Sequence, residues 1–467
     1  MKKITKIICL FLSLLFLTGC TASQNEPKTE SIKETIYDAY VYAFPLVLVN
    51  ATMEKMTNTV EPTTTQAPPN QLFHSHNLAN ASAKDVVTLN TDTLYSQAFL
   101  DLSDTAMVFV MPKADRFCSG EIMDAYTNAV KITGSGSDNP DQTAFLITGP
   151  DYSGEIPKDL VHVAMPTNMA WILCRVLSYG EADLDNVYAI QNNIQLLPLT
   201  NYLSGEAYIP AKGSYSESNN FIPIEHVLQM TPAVFFNTAN ALMVANPPAS
   251  ADQAMIEKIS AVGVGPGLEF DPAILGDSGQ DEWNTMINDL STTLFNDSQD
   301  FLVKMNNWRF FGEPVAEFGT EYDYRALIAL NGLAANPVSV AIYPNASTTS
   351  DGVTFDGTNN YVIHFDKEQL PPTKDTGFWS ITAYDSDNFL IDNPINRYSI
   401  NDRSAVTYNQ DGSLDLLLQT QAPADATLAN NWLPISADNF HLYLRIYLPQ
   451  ESVFDGSWQP PTIKKAE

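Results

Sequence analysis

The strongest constraint on the fold is a switch in periodicity that occurs twice along the chain. From 86 to about 178 the sequence is a series of short β runs, VVTLN, LYSQAFLDL, AMVFVM, NAVKITG, TAFLITG and VHVAM, separated by Asp, Gly, Pro and Ser. Runs this short with turn residues between them predict an antiparallel β-sandwich over 83–180. Residues 181–305 change to longer segments, among them EHVLQMTPAVFFNTANALMV and DEWNTMINDLSTTLFNDSQDFLVKM, that predict a mainly helical domain. The alternation then returns over 306–467, where NYVIHF, FWSITAYD, LDLLLQT and NFHLYLRIYLP predict a second sandwich of jelly-roll type. The expected fold is mixed and β-rich. One stretch in the first β region, TNMAWILCRVLSYG, begins at a cap residue, Thr167, stops at Gly180, and is expected to be helical.

The N-terminus sets the compartment. Lys2, Lys3 and Lys6 precede the apolar run IICLFLSLLFL and then Leu17-Thr18-Gly19-Cys20, the order of charge, apolar stretch and small residues that an export signal ending in a lipobox requires. Residues 1–20 are expected to leave as a signal peptide, with Cys20 receiving the lipid and 21–30 acting as a polar tether. The run is too short for a comfortable membrane span. Thr21, rather than Asp, after the cysteine favours the outer membrane if the cell has two. The predicted location is extracytoplasmic and lipid-anchored. Within 31–82, Ser31 and Glu34 have capping-box spacing, Pro45 is expected to split the first helix into two pieces, and a proline-rich loop follows.

A chain of 467 residues with 45% hydrophobic content can build two or three cores. Its formal charge of -30 argues against nucleic acid as a partner, and becomes more negative once the leader lysines depart. After export Cys118 and Cys174 remain beside the lipid cysteine, and either one disulfide or two buried thiols fits their apolar surroundings. No heptad pattern fixes an oligomer, which leaves a homodimer open.

Few residues announce chemistry. His74 and His76 are one residue apart, so in an extended segment they share a side, the spacing of paired imidazole metal ligands, and Asp92 is a third ligand within plausible reach. A buried hydrogen-bond network is the plainer use of the same histidines. Arg325, Arg397 and Arg445 stand out because Lys plus Arg total only 24; each suits either a carboxylate ligand or an internal lock. The segment 376–398 concentrates Trp379, Tyr384, Asn393, Arg397 and Tyr398, a composition that lines polar pockets and sandwich edges alike. The glycines of VGVGPG follow no β run and mark a turn, and GxSxG, HExxH, Walker and CxxC patterns are missing.

Longer motifs carry a resemblance. NQLFHSHNLANASAKDVVTLNTDTLYSQAFLDLS, RFCSGEIMDAYTNAV, FLITGPDYSGEIP and PTNMAWILCRV resemble the DUF1254 family. EYDYRALIALNGLAAN, LPPTKDTGFWSITAYDSDNFLIDNPINRYSI, QDGSLDLLLQ and LYLRIYLP resemble its usual companion, DUF1214. The resemblance implies an immunoglobulin-like β-sandwich, a helical domain and a C-terminal jelly-roll β-sandwich, and it brings no activity or cofactor with it. Matching residues that would line a ligand site are Asn90, Asp92, Thr93 and Tyr95 in the first sandwich, with Trp379, Tyr384, Asn393, Arg397 and Tyr398 in the second. Asn77 follows His76 where the family often has arginine, a departure that weakens an inherited role for this loop. Three functions are compatible with these features: a membrane-tethered protein binding a small polar ligand at an inter-domain cleft, an extracytoplasmic hydrolase or lyase assisted by a metal at His74, His76 and Asp92, and a structural envelope protein.

Overall fold

The computed structural model describes residues 31–84 and 87–466. The expected signal peptide, Cys20 and the tether lie outside the described residues. Helix α1 (Ile32–Met56) opens the described chain, and its start follows from the sequence: the Ser31 side chain accepts from the Glu34 amide while Glu34 returns a bond to the Ser31 amide. The helix continues through Pro45 as one piece. Tyr40, Tyr42, Phe44, Leu46 and Val47 are all fully buried, so packing around the helix holds it across the missing amide bond. By length and composition α1 is apolar enough to cross a membrane, yet 78% of its most apolar window is buried inside the protein.

Among the described residues the chain also forms four open sheets and a set of further helices. Sheet one has the order β1 (Phe73–His74), β2 (Thr93–Asp101), β8 (Met169–Leu177), β4 (Cys118–Asp124), β5 (Ala129–Gly134), antiparallel throughout. Sheet two runs β7 (Val161–Ala164), β6 (Ala144–Thr148), β3 (Met107–Val110), β9 (Gln195–Pro198), with β6 and β7 parallel. Sheet three runs β10 (Leu302–Met305), β11 (Trp308–Phe311), β13 (Asn345–Ala346), β19 (Phe440–Tyr447), β15 (Trp379–Asp385), β16 (Ser399–Asn401), and β12 (Ala341–Ile342) also pairs with β19. Sheet four runs β18 (Trp432–Pro434), β17 (Leu414–Gln419), β14 (Tyr361–Phe365), β20 (Ile463–Lys465), with β17 and β18 parallel. Helices α2 (Leu184–Gln191), α3 (Leu199–Ser204), α4 (Pro223–Leu228), α5 (Pro232–Ala245), α6 (Gln253–Ser260) and α7 (Gly279–Asp297) lie between β8 and β10, with α8 (Tyr322–Gly332) and the short α9 (Glu451–Phe454) further on.

This arrangement corrects the expected fold class. The chain is a mixed α/β fold with open sheets, and neither an immunoglobulin-like sandwich nor a jelly roll forms. Sheet two contains a parallel pair that no hairpin can make, and its edge strand β9 arrives only after α2. In the C-terminal region β17 and β18 are likewise parallel, and each sheet ends in free edges. Period-2 patterning locates strands without fixing their partners, so it could not exclude these orders.

The expected helix from Thr167 is instead β8, the central strand of sheet one. All nine of its residues are buried and all but Arg175 are apolar, so a strand covered on both faces loses the alternation that would mark it as one. Even-numbered residues Ile172, Cys174 and Val176 pack with Leu94, Ile122, Phe109 and Phe145 between sheets one and two. Odd-numbered Trp171 and Leu173 join the larger core built from α1, α5, α7, α8 and sheets three and four. Cys118 and Cys174 are both free and buried, and burial pushes the Cys118 thiol up to about 12.

Candidate functional site

Where sheet one meets sheet three, both surfaces are polar. Strand alternation on sheet one places Thr93, Tyr95, Ser119, Glu121 and Arg175 on the face turned away from sheet two, since Tyr95 and Ser119 each pair with Arg175 across the ladder. On sheet three the register aligns Asn401, Ser380 and Arg445 in one row and Ser399, Thr382 and Tyr443 in the next, opposite the apolar face formed by Ile381, Leu442, Leu444 and Ile446. Phe117, Leu177, Val340, Phe378 and Tyr447 form a small apolar cluster that seals the junction beside these groups.

Two arginines organise the seam. Arg175 Nη1 donates to Glu121 Oε2 at 3.0 Å and to Asn336 Oδ1 at 2.9 Å, and Nη2 donates to the Ala334 carbonyl at 2.8 Å. Asn336 in turn donates to the Tyr343 hydroxyl. Burial pushes the Glu121 carboxyl up to about 7, against the pull of Arg175. Arg445 Nη1 donates to Thr382 Oγ1 at 3.1 Å; its Nη2 donates to the Tyr384 hydroxyl at 2.6 Å and to the Thr88 carbonyl at 2.8 Å. Burial disfavours the Arg445 charge, but Tyr384, Tyr447 and Asp92 more than offset this and hold its pKa above the ordinary arginine value.

Residues 88–92 form a strap laid across this polar face. Tyr384 donates to the Leu89 carbonyl at 2.6 Å, Asn90 Nδ2 donates to the Tyr447 hydroxyl at 2.7 Å, and Thr91 donates to Ser399 at 3.1 Å. Asp92 Oδ1 accepts from Asn401 at 3.1 Å and from Arg403 at 2.8 Å, and Arg403 also pairs with Asp402. Thr88 donates its amide to the Asn388 carbonyl at 2.8 Å and adopts a φ of 52°. A left-handed backbone costs a β-branched residue about 1–2 kcal/mol, a strain that the docking contacts must hold in place.

Five buried polar atoms in this region have no hydrogen-bond partner: Asp92 Oδ2, Thr93 Oγ1, Ser119 Oγ, Glu121 Oε1 and Ser380 Oγ. Buried polar atoms are normally satisfied, so such a concentration at one junction between sheets marks a special place. They also lack accessible surface, so nothing reaches them unless the strap or the sheets move apart.

The structure divides the residues singled out in the sequence. Asn90, Asp92, Thr93, Tyr95 and Tyr384 gather at the seam. Trp379 points into the core, with its ring 6.0 Å from that of Phe365. Asn393 closes a turn through bonds with Ile391, Ile395 and Arg397. Arg397 donates to the Ala429 and Trp432 carbonyls at 2.6 and 2.8 Å, and Tyr398 bonds to Asn396. His74 Nδ1 lies 2.7 Å from Ser96 Oγ, and burial, then the neighbouring His76, lowers its pKa. The His76 ring packs 4.9 Å from that of Tyr188. Asp92 is engaged on the other side of the junction, with Asn401 and Arg403. Among the described residues, no group of three or more His, Cys, Asp or Glu is placed to hold a metal ion.

Glu121, Arg175, Asn336, Tyr343, Asn401, Arg403 and Tyr447 belong to the seam without having been singled out. Of the two arginines that organise it, only Arg445 was singled out, by the scarcity of arginine in the chain. A shallow groove of about 630 Å³ between α1 and α5, lined by Asn50, Glu54, Asn237 and Thr238, is a separate feature.

Both sides of the junction match known families. Residues 69–198 match the model of a protein of unknown function, DUF1254, and residues 340–451 match a second, DUF1214. The chain carries a DUF1254 domain and a DUF1214 domain. Sheets one and two fall in the DUF1254 match, and β12, β13, β15, β16 and β19 of sheet three fall in the DUF1214 match. The crystal structure of the VPA0106 protein from Vibrio parahaemolyticus is similar over 93% of this chain and 100% of its own, with a TM-score of 0.68 and 19% identity. An uncharacterized protein from Burkholderia cenocepacia covers 93% of this chain and 92% of its own at 11% identity, with a TM-score of 0.42. The first likeness shows a shared fold and nothing about activity. No curated protein matches the chain.

Proposed function

We propose that this protein is a membrane-tethered, extracytoplasmic binding protein that holds a small polar ligand between its DUF1254 and DUF1214 domains. The observation that carries the reading is the concentration of unpartnered buried polar atoms, Asp92 Oδ2, Thr93 Oγ1, Ser119 Oγ, Glu121 Oε1 and Ser380 Oγ, where the two polar faces meet. A junction that served only to glue the domains would be expected to satisfy these atoms or to replace them with apolar groups. The lipobox ending at Cys20 supplies the tether and the compartment.

Calorimetric titration of the purified protein with a panel of small polar compounds tests this. The expected result is a saturable ligand whose affinity falls at least tenfold in Ser380→Val, with the melting temperature of the variant held within a few degrees. A ligand that binds Ser380→Val as well as the parent protein would move the site away from the junction.

A further inference from the structure

The strap shows what its seat recognises. From residue 88 to residue 92 every position offers a polar group to sheet three, and apart from the Asn90 and Thr91 side chains the groups received there are oxygens: the Thr88 carbonyl at Arg445, the Leu89 carbonyl at Tyr384, and the Asp92 carboxylate at Asn401 and Arg403. Hydrogen bonds run both ways across the seat, since the Thr88 amide, Asn90 and Thr91 also donate from the strap, but at Arg445, Tyr384, Asn401 and Arg403 the DUF1214 side donates and the strap accepts.

Lifting the strap would remove the Asp92 carboxylate from Arg403 and leave Arg445 bonded only to the neutral hydroxyls of Thr382 and Tyr384. Two guanidinium groups would then face the seat, with Asp402 beside Arg403 as the carboxylate already paired to one of them. A neutral polyol cannot balance that charge, whereas a carboxylate can, through the same bonds Asp92 makes. Ser380, fully buried with an unpartnered hydroxyl, sits in the ladder row between Asn401 and Arg445 and is available to the middle of such a ligand. Asn401 and Arg445 stand on strands two positions apart, a separation on the order of 10 Å.

We propose that this face of sheet three is a carboxylate-binding seat for a linear dicarboxylate or similar oxygen-rich acid, and that residues 88–92 occupy it as an internal stand-in that the ligand displaces. The inference rests on the binding function proposed above and adds both the ligand class and the exchange. One end of the ligand takes the place of the Asp92 carboxylate at Asn401 and Arg403; the other takes the place of the Thr88 and Leu89 carbonyls at Arg445 and Tyr384. The ligand must therefore reach across two strand spacings, on the order of 10 Å.

The test uses the full-length protein in detergent, titrated with α,ω-dicarboxylates of increasing length, a monocarboxylate and a neutral sugar, while amide hydrogen exchange is followed at residues 88–92. The expected result is tightest binding for dicarboxylates of intermediate length, at least tenfold faster exchange of the strap amides on saturation, and at least fivefold tighter binding in Asp92→Asn, whose strap is held less firmly. Thr91→Ala, which removes a single strap hydroxyl, provides the same readout with a smaller gain if Asp92→Asn does not fold. Dicarboxylate binding that leaves strap exchange unchanged would overturn the stand-in role while preserving the binding function. Preference for the neutral sugar would overturn the ligand class alone. Absence of binding by every probe, to the parent and to both variants, would overturn the seat and the binding function together.

Discussion

On one face of sheet one, Leu94, Ile122, Ile172 and Val176 close onto Met107, Phe109, Phe145 and Ile147 of sheet two. On the other face, the same strands turn Thr93, Ser119, Glu121 and Arg175 toward sheet three. The apolar face gains stability from area removed from water, a non-directional contribution that tolerates small shifts. The polar face gains little net stability, because taking Arg175 and Glu121 out of water offsets much of their attraction. What it gains is geometry: with Arg175 fixed beside Glu121 within sheet one, its bonds to Asn336 and the Ala334 carbonyl form in only one placement of that sheet against the segment that follows α8. The comparison separates a face that holds the domain together from a face that positions it against its neighbour.

The largest expected effect comes from removing one member of the buried pair. Arg175→Met should cost about 4 kcal/mol at pH 8, where Glu121, deprived of the guanidinium that holds its pKa down, must either stay buried as an unpaired charge or take up a proton on folding. The cost should shrink at pH 5, where Glu121 is protonated; urea unfolding at both pH values reads the difference. A cost that does not change with pH would dissolve the contrast between the faces.

On the apolar side, Ile172→Ala removes a fully buried side chain and should cost about 3 kcal/mol. That loss should be the same at pH 5 and pH 8, since no titrating group loses a partner.

The smallest effect is a gain. Burial raises the Glu121 carboxyl to about 7 in the folded protein from an ordinary value of 4.5. Between those values the unfolded chain loses its proton first, so stability contributed by the neutral group is fully present below about 4.5 and is lost as pH rises through about 7. Glu121→Gln keeps an acceptor for Arg175 and cannot ionise. The variant should match the parent near pH 4 and exceed it at pH 8 by a part of the roughly 3 kcal/mol that a shift from 4.5 to about 7 carries, as read from the pH profile of urea midpoints. A parent profile as flat as that of the variant would mean that folding leaves the Glu121 pKa unshifted.

What was legible in the sequence depended on how local the cause was. The α1 start could be read because Ser31 and Glu34 solve the capping problem within one turn. Most strands were locatable from alternation and turn residues, but β8 was not, because burial on both faces erases the alternation that distinguishes a strand from a helix. Sheet order was beyond reach: the parallel β6–β7 and β17–β18 pairs depend on packing, and the same residues would alternate equally well in an antiparallel ladder. At the seam, Asn90 to Tyr95 emerged through a motif and Tyr384 through a local concentration of aromatic and polar residues. Arg175 and Glu121 were hidden in apolar runs, and Arg175 finds Asn336 161 positions away in the chain.

The position of α1 has a mechanical consequence. Its first turn begins at Ser31, immediately after the residues that would connect a lipidated Cys20 to the folded body, and its side chains are packed among α5, α7 and α8. Tension arriving at Ser31 would be resisted by a helix whose middle, Ala39–Val49, is buried throughout, so the load spreads over the shared interior instead of peeling away a peripheral strand. Built this way, a tethered protein can be pulled by its leash without being unzipped from one edge.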